Sequence, residues 1–281
     1  MQANKHPRDL LIEFDAGPHK YTCAGEADYM SVTTWNHTHF KPFDADAIIT
    51  KMMSNPVRWV KSPYYGQSRE EIKAGWERNR DEAARLGTEM HYAIEMYMLG
   101  ASPHTPHLGQ AGVGEYNIAE GQILHPNGGC GGLPPKYFLD FVADFPELKP
   151  YRTEWMIFDE DVRLAGSVDM VYENESDGSL LVYDWKRCKE IRETNSFGEF
   201  ALTECINHLP DTNFWHYALQ LNTYKAILEA KYAKKVSQMC LVCLHPSQSS
   251  YLVYSVPDLS AEMTALFSLR KNNLKIEQDI N

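Results

Sequence analysis

Gly166-Ser167-Val168-Asp169 is followed fifteen residues later by Asp184-Trp185-Lys186. Each half reads as the end of a β-strand that carries a carboxylate. Residues two apart on a strand project from the same face, so Asp184 and Lys186 point together. If the two strands pair as a hairpin, Asp169 sits beside Asp184. Two carboxylates and an ammonium at one spot form a site for a divalent metal and a water nucleophile. That is the chemistry of phosphodiester hydrolysis: the metal polarises the phosphate and acidifies water, and the lysine orients the water and offsets charge at phosphorus. A DxK pattern alone is far more often a surface salt bridge, so the rest of the chain has to decide.

Two helical pairs add to it. His91 and Glu95 are four apart in a helical stretch and share a face; His91 offers a nitrogen ligand, which tilts preference from Mg²⁺ toward Mn²⁺, and Glu95 is a further candidate ligand. Gln220 and Tyr224 repeat that spacing, Gln220 within reach of an aspartate or a phosphate and Tyr224 of Lys186 or DNA. Glu154, in Arg152-Thr153-Glu154-Trp155, lies on the strand before that of Asp169. It reads either as an outer carboxylate for a second metal or as a structural partner of a base.

The elements that must carry these residues follow from periodicity and turn chemistry. Leu10 to Phe14 and His19 to Ala24 alternate about Asp15-Ala16-Gly17-Pro18 and form a hairpin. Ser31-Val32-Thr33-Thr34 opens a helix, and Asp44 caps a short amphipathic helix to Met53. Ser68-Arg69-Glu70-Glu71 is a capping box at the start of a long helical region that runs to Leu99, with a break expected near Gly87. Segment 100–135 holds about half of the chain's 17 glycines and reads as a long loop or insertion. Beyond it come a helix (136–145), three successive strands (151–158, 163–172 and 180–186), a helix (211–232), two strands (236–244 and 251–256) and a closing helix (259–271). The plan is α/β, with helices on both faces of a mixed sheet. The organisation is an N-terminal hairpin and helical lobe (1–100), the insertion (101–135) and a core (136–281), within one structural domain.

Composition sets few limits. With 43% hydrophobic and 23% charged residues the chain is an ordinary globular one. No apolar run approaches a membrane span, and the polar start has no signal-peptide core and no acid-poor transit character, so an intracellular location is expected and no membrane partner. Six cysteines without a disulfide framework fit a reducing compartment. Cys240 and Cys243 form a CxxC inside an apolar strand, without the second close pair that a four-cysteine Zn or Fe–S site requires. The net charge of −11 argues weakly against nucleic acid as partner, yet metal carboxylates add to that count and positive charge can be confined to one groove.

In order along the chain, Gly87-Thr88 with His91 and Glu95, then Glu154, Gly166 with Asp169, Asp184 with Lys186, and Gln220 with Tyr224 match one pattern. Over residues 75 to 255 the chain resembles the RecB-like branch of the PD-(D/E)XK nuclease superfamily. Its start, the hairpin followed by Ser31-Val32-Thr33, resembles the mitochondrial-genome-maintenance exonucleases and related viral and phage exonucleases, so a viral or phage origin is one expectation. The resemblance implies a restriction-endonuclease-like α/β/α core. It implies His91, Asp169, Asp184 and the Trp185 backbone carbonyl as ligands of one or two Mg²⁺ or Mn²⁺ ions, and Lys186 as catalytic lysine with Glu154, Gln220 and Tyr224 in support. Arg187 stands where many relatives carry Thr, and its guanidinium is a candidate phosphate contact. The four-cysteine cluster of the iron–sulfur subgroup is absent, and no such cluster is expected.

The resemblance implies DNA as partner, single-stranded or with a free end, acted on by an exonuclease in replication, repair or recombination alongside other proteins of those pathways. Aromatic and basic residues crowd the upstream helices, among them Trp35, Lys51, Trp59, Trp76, Arg78 and Arg85. They suit single-strand stacking and backbone contact, equally a core and a solvated face. Ser31, Arg78 and Arg85 are candidates for holding a terminal phosphate, and Thr33, Trp76 and Tyr224 for contacting DNA. Two alternatives stay open: a structure-selective or nicking endonuclease on the same core, and a non-catalytic DNA-binding protein with a vestigial nuclease fold. Polarity, strand preference and oligomeric state are not encoded in these motifs.

Overall fold

The computed structural model describes residues 4–99, 116–117, 122–124, 130–132, 135–195 and 197–280. The N-terminal hairpin pairs β1 (Ile12–Asp15) with β2 (Lys20–Cys23), and β2 continues into β3 (Glu26–Ser31), a third strand that the alternation did not reveal. Ser31 ends β3 and caps α1 (Val32–His37), its Oγ accepting from the Thr34 amide at 3.1 Å. Asp44 caps α2 (Ala45–Met53) in the same way, and α3 (Pro56–Trp59) follows. The Ser68–Glu71 capping box is formed from both sides and opens α4 (Arg69–Met98).

At 30 residues α4 is about 45 Å long. It runs straight through Gly87, where no break occurs: an added Cβ there would meet nothing within 4 Å, so the glycine serves no close approach. Every residue from Glu77 to Arg85 is exposed. A helix that is polar all round is bridging solvent. Here it joins the α2–α3 lobe, where Ile72 and Trp76 pack, to the core, where Met90 and Ile94 are buried.

Most of segment 100–135, expected to be loop or insertion, lies outside the described residues. Within it β4 (Tyr116–Asn117), β5 (Gln122–Leu124) and β6 (Cys130–Gly132) pair as a small antiparallel sheet. The core resumes with α5 (Lys136–Asp144), β7 (Lys149–Asp159), β8 (Leu164–Glu173), β9 (Leu180–Lys186), α6 (Asn213–Lys231), β10 (Val236–Cys243), β11 (Leu252–Ser255) and α7 (Ser260–Ile280).

The sheet is mixed, eight strands in all, ordered β1-β2-β3-β8-β9-β10-β11 with β7 on β8. The β7–β8, β8–β9 and β10–β11 pairs are antiparallel; β9–β10 and β3–β8 are parallel. One face is covered by α4 and α5 through Met90, Ile94, Phe138 and Phe141 against Met170, Tyr183 and Trp185. The other is covered by α1, α6 and α7 through Trp35, Leu221, Tyr224 and Met263 against Val168, Val182 and Leu241. The α/β/α layering expected from the element order is therefore present. Cys240 and Cys243 fall in different cores, on opposite faces of β10.

Strand β8 is the junction of the sheet. Along one edge it pairs with β7 from end to end. The other edge is shared: β3 takes Leu164 and Ala165, and β9 takes Met170 to Glu173. Between these two partners, residues 166–169 have no strand on that edge, and Tyr224 of α6 reaches into the fork. A Cβ on Gly166 would lie 2.8 Å from Tyr224 Cε1 and 3.3 Å from Val32 Cγ2. Gly166 is thus required by close approach. Gly166→Ala forces the buried Tyr224 ring to move and is expected to cost about 1–3 kcal/mol in a denaturant melt; an unchanged midpoint would show that the fork is loosely packed.

Candidate active site

Asp169 lies at the fork and Asp184 one step beyond the Met170–Tyr183 pair of the β8–β9 register. The Asp169 side chain takes over where the ladder stops: its Oδ2 accepts the Trp185 amide at 2.9 Å, and its own carbonyl accepts the Thr153 hydroxyl at 3.0 Å. Opposite it on β7, Glu154 has φ of 45°, in the left-handed region that non-glycine residues enter at a cost. The two-residue alternation of β8 slips there as well. Leu164, Val168 and Val171 belong to one core, Met170 and Tyr172 to the other. Ser167 Oγ donates to Glu154 Oε2 at 2.9 Å and holds the carboxylate.

His91 enters from α4. A carbonyl oxygen only accepts, so the 2.8 Å contact of His91 Nε2 with the Trp185 carbonyl is a donated hydrogen bond. It leaves Nδ1 facing the acids, 3.5 Å from Asp169 Oδ2 and 3.9 Å from Glu154 Oε1. The Trp185 carbonyl, implied as a ligand by the resemblance, here orients His91. Burial acts to lower the His91 pKa, but Asp169 and Glu154 outweigh it and push it up to about 9. Glu95, one turn further along α4, is pushed up to about 7 by burial and then by the Glu154 charge.

Asp184 and Lys186 project together toward α6. Lys186 Nζ lies 2.6 Å from Asp184 Oδ2, an ion pair with skewed geometry, and donates to Gln220 Oε1 at 3.2 Å. Gln220 Nε2 donates in turn to Tyr224 Oη at 3.0 Å and to Thr33 Oγ1 at 3.3 Å. Only 2% of Asp184 is exposed, and its Oδ1 is buried with no hydrogen-bond partner. Burial, and then the Asp169 charge, raises the Asp184 carboxyl pKa; burial alone raises that of Asp169 most. The Lys186 ammonium is held charged: desolvation opposes it, but Asp184 and Asp169 prevail and its pKa rises.

Four carboxyl groups (Glu95, Glu154, Asp169, Asp184) thus surround two bases (His91, Lys186). Among the described residues, His91, Glu154 and Asp169 form the group whose ligand atoms lie within 4.8 Å of one another. Hard oxygens with one imidazole suit Mg²⁺ or Mn²⁺. The excess of buried negative charge and the orphaned Asp184 Oδ1 are what a divalent cation would satisfy, so the residues fit the metal.

The remaining candidates are placed apart. Ser31 Oγ is engaged as the α1 cap and with Thr34 Oγ1 at 2.8 Å. Trp76 donates its indole N–H to Tyr64 Oη at 3.0 Å and packs edge-on to Phe43, within the lobe. Arg78 and Arg85 lie on the exposed span of α4, Arg85 paired with Glu89 at 2.6 Å. The charge of Arg187 is felt by Tyr137 and His245. Two residues of the site were not picked out beforehand. Tyr217 lies under the lysine, with Lys186 Nζ 4.5 Å from its ring centroid, and its spacing to Gln220 and Tyr224 (i, i+3, i+7) is the signal that could have found it. Ser167 stands two residues before Asp169 in the motif itself.

No family model matches the chain, and no curated protein matches it. A solved structure described as "Crystal structure of SSO0001" aligns at 14% identity with a TM-score of 0.27, over 50% of this chain and 57% of that one. A superposition of that closeness establishes no shared fold. Among the described residues no helix is long and apolar enough to cross a membrane.

Proposed function

We propose that this protein is a Mg²⁺- or Mn²⁺-dependent deoxyribonuclease of the PD-(D/E)XK type that acts on DNA from a free end. The observation that carries the reading is the Asp184–Lys186 ion pair with its unshared Asp184 Oδ1, set beside the His91, Glu154 and Asp169 cluster. Asp169, Asp184 and His91 Nδ1 would hold the metal, with Glu154 and Glu95 completing the acidic surround. When bound, the metal supplies Lewis-acid stabilisation of the phosphate and a lowered pKa for the attacking water.

The chain's own residues do the rest. With the metal bound, the Trp185 carbonyl would hold the Nε2 proton of a neutral His91 and so leave the Nδ1 lone pair for the ion. Lys186, clamped by Asp184 and Gln220 over the Tyr217 ring, keeps its proton and presents positive charge where the scissile phosphate gains negative charge. Gln220 couples that lysine to Thr33 and Tyr224, which ties the position of Lys186 to α1 and α6.

Action at an end is favoured by the way α4 bridges solvent above the site. The α2–α3 lobe that it supports comes back to the loop after β9 through Lys51, whose ammonium lies 5.0 Å from the Phe197 ring. Arg78 and Arg85, seven residues apart on the exposed span of α4, would offer positive charge to a strand passing along it. The test is digestion of end-labelled linear DNA beside closed circular DNA of the same sequence. Loss of label from the linear form with an intact circle is the expected result; cutting of the circle would replace the exonuclease reading with an endonuclease one.

A further inference from the structure

A second feature adjoins the catalytic centre and takes no part in the chemistry above. A cavity of about 740 Å³ lies between the segment after β9 and the start of α6. Its wall is built, not accidental. Asn213 donates to the Glu190 carbonyl at 2.8 Å and accepts the Arg192 amide at 2.9 Å, while Trp215 Nε1 donates to the Glu193 carbonyl at 3.0 Å. These bonds lace residues 190–193 onto the first turn of α6.

The polar groups at the start of α6 are short of hydrogen-bond partners. Helix α6 is 19 residues long, has no acidic residue in its first turn, and receives no side-chain cap. Its first amides therefore find no side-chain acceptor among the described residues and carry the positive end of the helix dipole. The N-cap residue is Thr212, only 8% exposed, and its hydroxyl is buried without a partner. Of the acids nearby, Glu190 is paired with Arg192 at 2.6 Å, and Asp211 shares a hydrogen bond with the neutral His216 ring at 2.8 Å. Lys189 lines the cavity with no ion-pair partner among the described residues. At the outer rim, Phe197 is 71% exposed, an open aromatic face beside Lys51.

We infer that this cavity is a subsite for single-stranded DNA: the α6 N-terminus and Lys189 take a backbone phosphate, and Phe197 stacks the adjoining base. The inference rests on the nuclease reading and gives the strand a path. Thr212 to Gln220 spans eight residues of α6, about 12 Å, so one helix holds a phosphate at its first turn and steadies Lys186 two turns later. The strand thereby leaves the catalytic centre along α6, toward Phe197.

The test measures binding of a short fluorescein-labelled oligothymidine by anisotropy, in EDTA and at several salt concentrations, for wild type and three variants. Phe197→Ala is expected to weaken binding about 5- to 100-fold. Lys189→Gln is expected to weaken it and to flatten the slope of log K against log salt by about 0.7. Thr212→Asp supplies α6 with a good cap, so the fold is retained, but puts a carboxylate where the phosphate sits and weakens binding. Melting temperatures check the fold, and if Thr212→Asp melts early the two surface variants decide. Unchanged affinity and salt slope in Lys189→Gln and Phe197→Ala, with a wild type that binds and cleaves DNA, would overturn the subsite and leave the nuclease reading standing. A wild type that neither binds nor cleaves DNA would overturn both.

Discussion

Lys186→Met is expected to lower the rate of DNA hydrolysis by about 10²- to 10⁴-fold, the range for loss of a positioned proton-handling or charge-stabilising group. The same change is expected to destabilise the metal-free protein. Lys186 is the cation within ion-pair reach of Asp184, which is 2% exposed and already has one oxygen without a partner. Removing one member of a buried pair costs about 3–5 kcal/mol, because the other charge stays behind unpaired. The double variant Asp184→Asn/Lys186→Met removes both charges and is expected to recover most of that stability and none of the activity. Stability and activity then separate cleanly. A Lys186→Met protein that melts like wild type would mean that Asp184 finds another partner; one that cleaves like wild type would remove the lysine from the chemistry.

The second large effect is metal-linked stabilisation. The four carboxyl groups around His91 and Lys186 repel one another in the metal-free protein, and a ligand that binds only the folded state raises stability by mass action. At a Mn²⁺ concentration about a hundredfold above its dissociation constant the gain is about 2.7 kcal/mol, or about 5 °C in Tm for a chain of this size. Asp169→Asn keeps an acceptor for the Trp185 amide but loses a ligand charge. It is expected to melt higher than wild type without metal, since burial of the Asp169 charge outweighs its attraction to His91 and Lys186 and that cost is removed, and to lose the Mn²⁺-induced shift. If Mn²⁺ shifts wild type and Asp169→Asn equally, the ion binds elsewhere.

Much of this site was legible in the sequence because its parts obey local rules. The β8–β9 hairpin follows from two alternating runs about Asn174 to Gly178, and the same-face projection of Asp184 and Lys186 follows from the strand period. The Ser68–Glu71 box marked the start of α4 at the residue where it begins. What escaped depends on distant partners. The fork in β8 arises because β3, more than 130 residues earlier, pairs in parallel with its first two residues; no window of sequence carries that pairing. The left-handed Glu154 is imposed by the strands around it, against the preference of glutamate. Gly87 suggests a helix break, yet a single glycine costs a helix only about 1 kcal/mol, and the packed turns from Met90 onward carry α4 through it. The buried Thr212 hydroxyl has no sequence signal, since threonine at an N-cap ordinarily caps.

The proposed metal-dependent centre of Asp169, Asp184 and Lys186 is put to the test by incubating purified wild type and Asp184→Asn with end-labelled single-stranded DNA in Mn²⁺ and in EDTA. Cleavage by wild type in Mn²⁺ alone, with no cleavage by the variant, is the predicted result. Equal cleavage by the two proteins, or cleavage by wild type that survives EDTA, would contradict it.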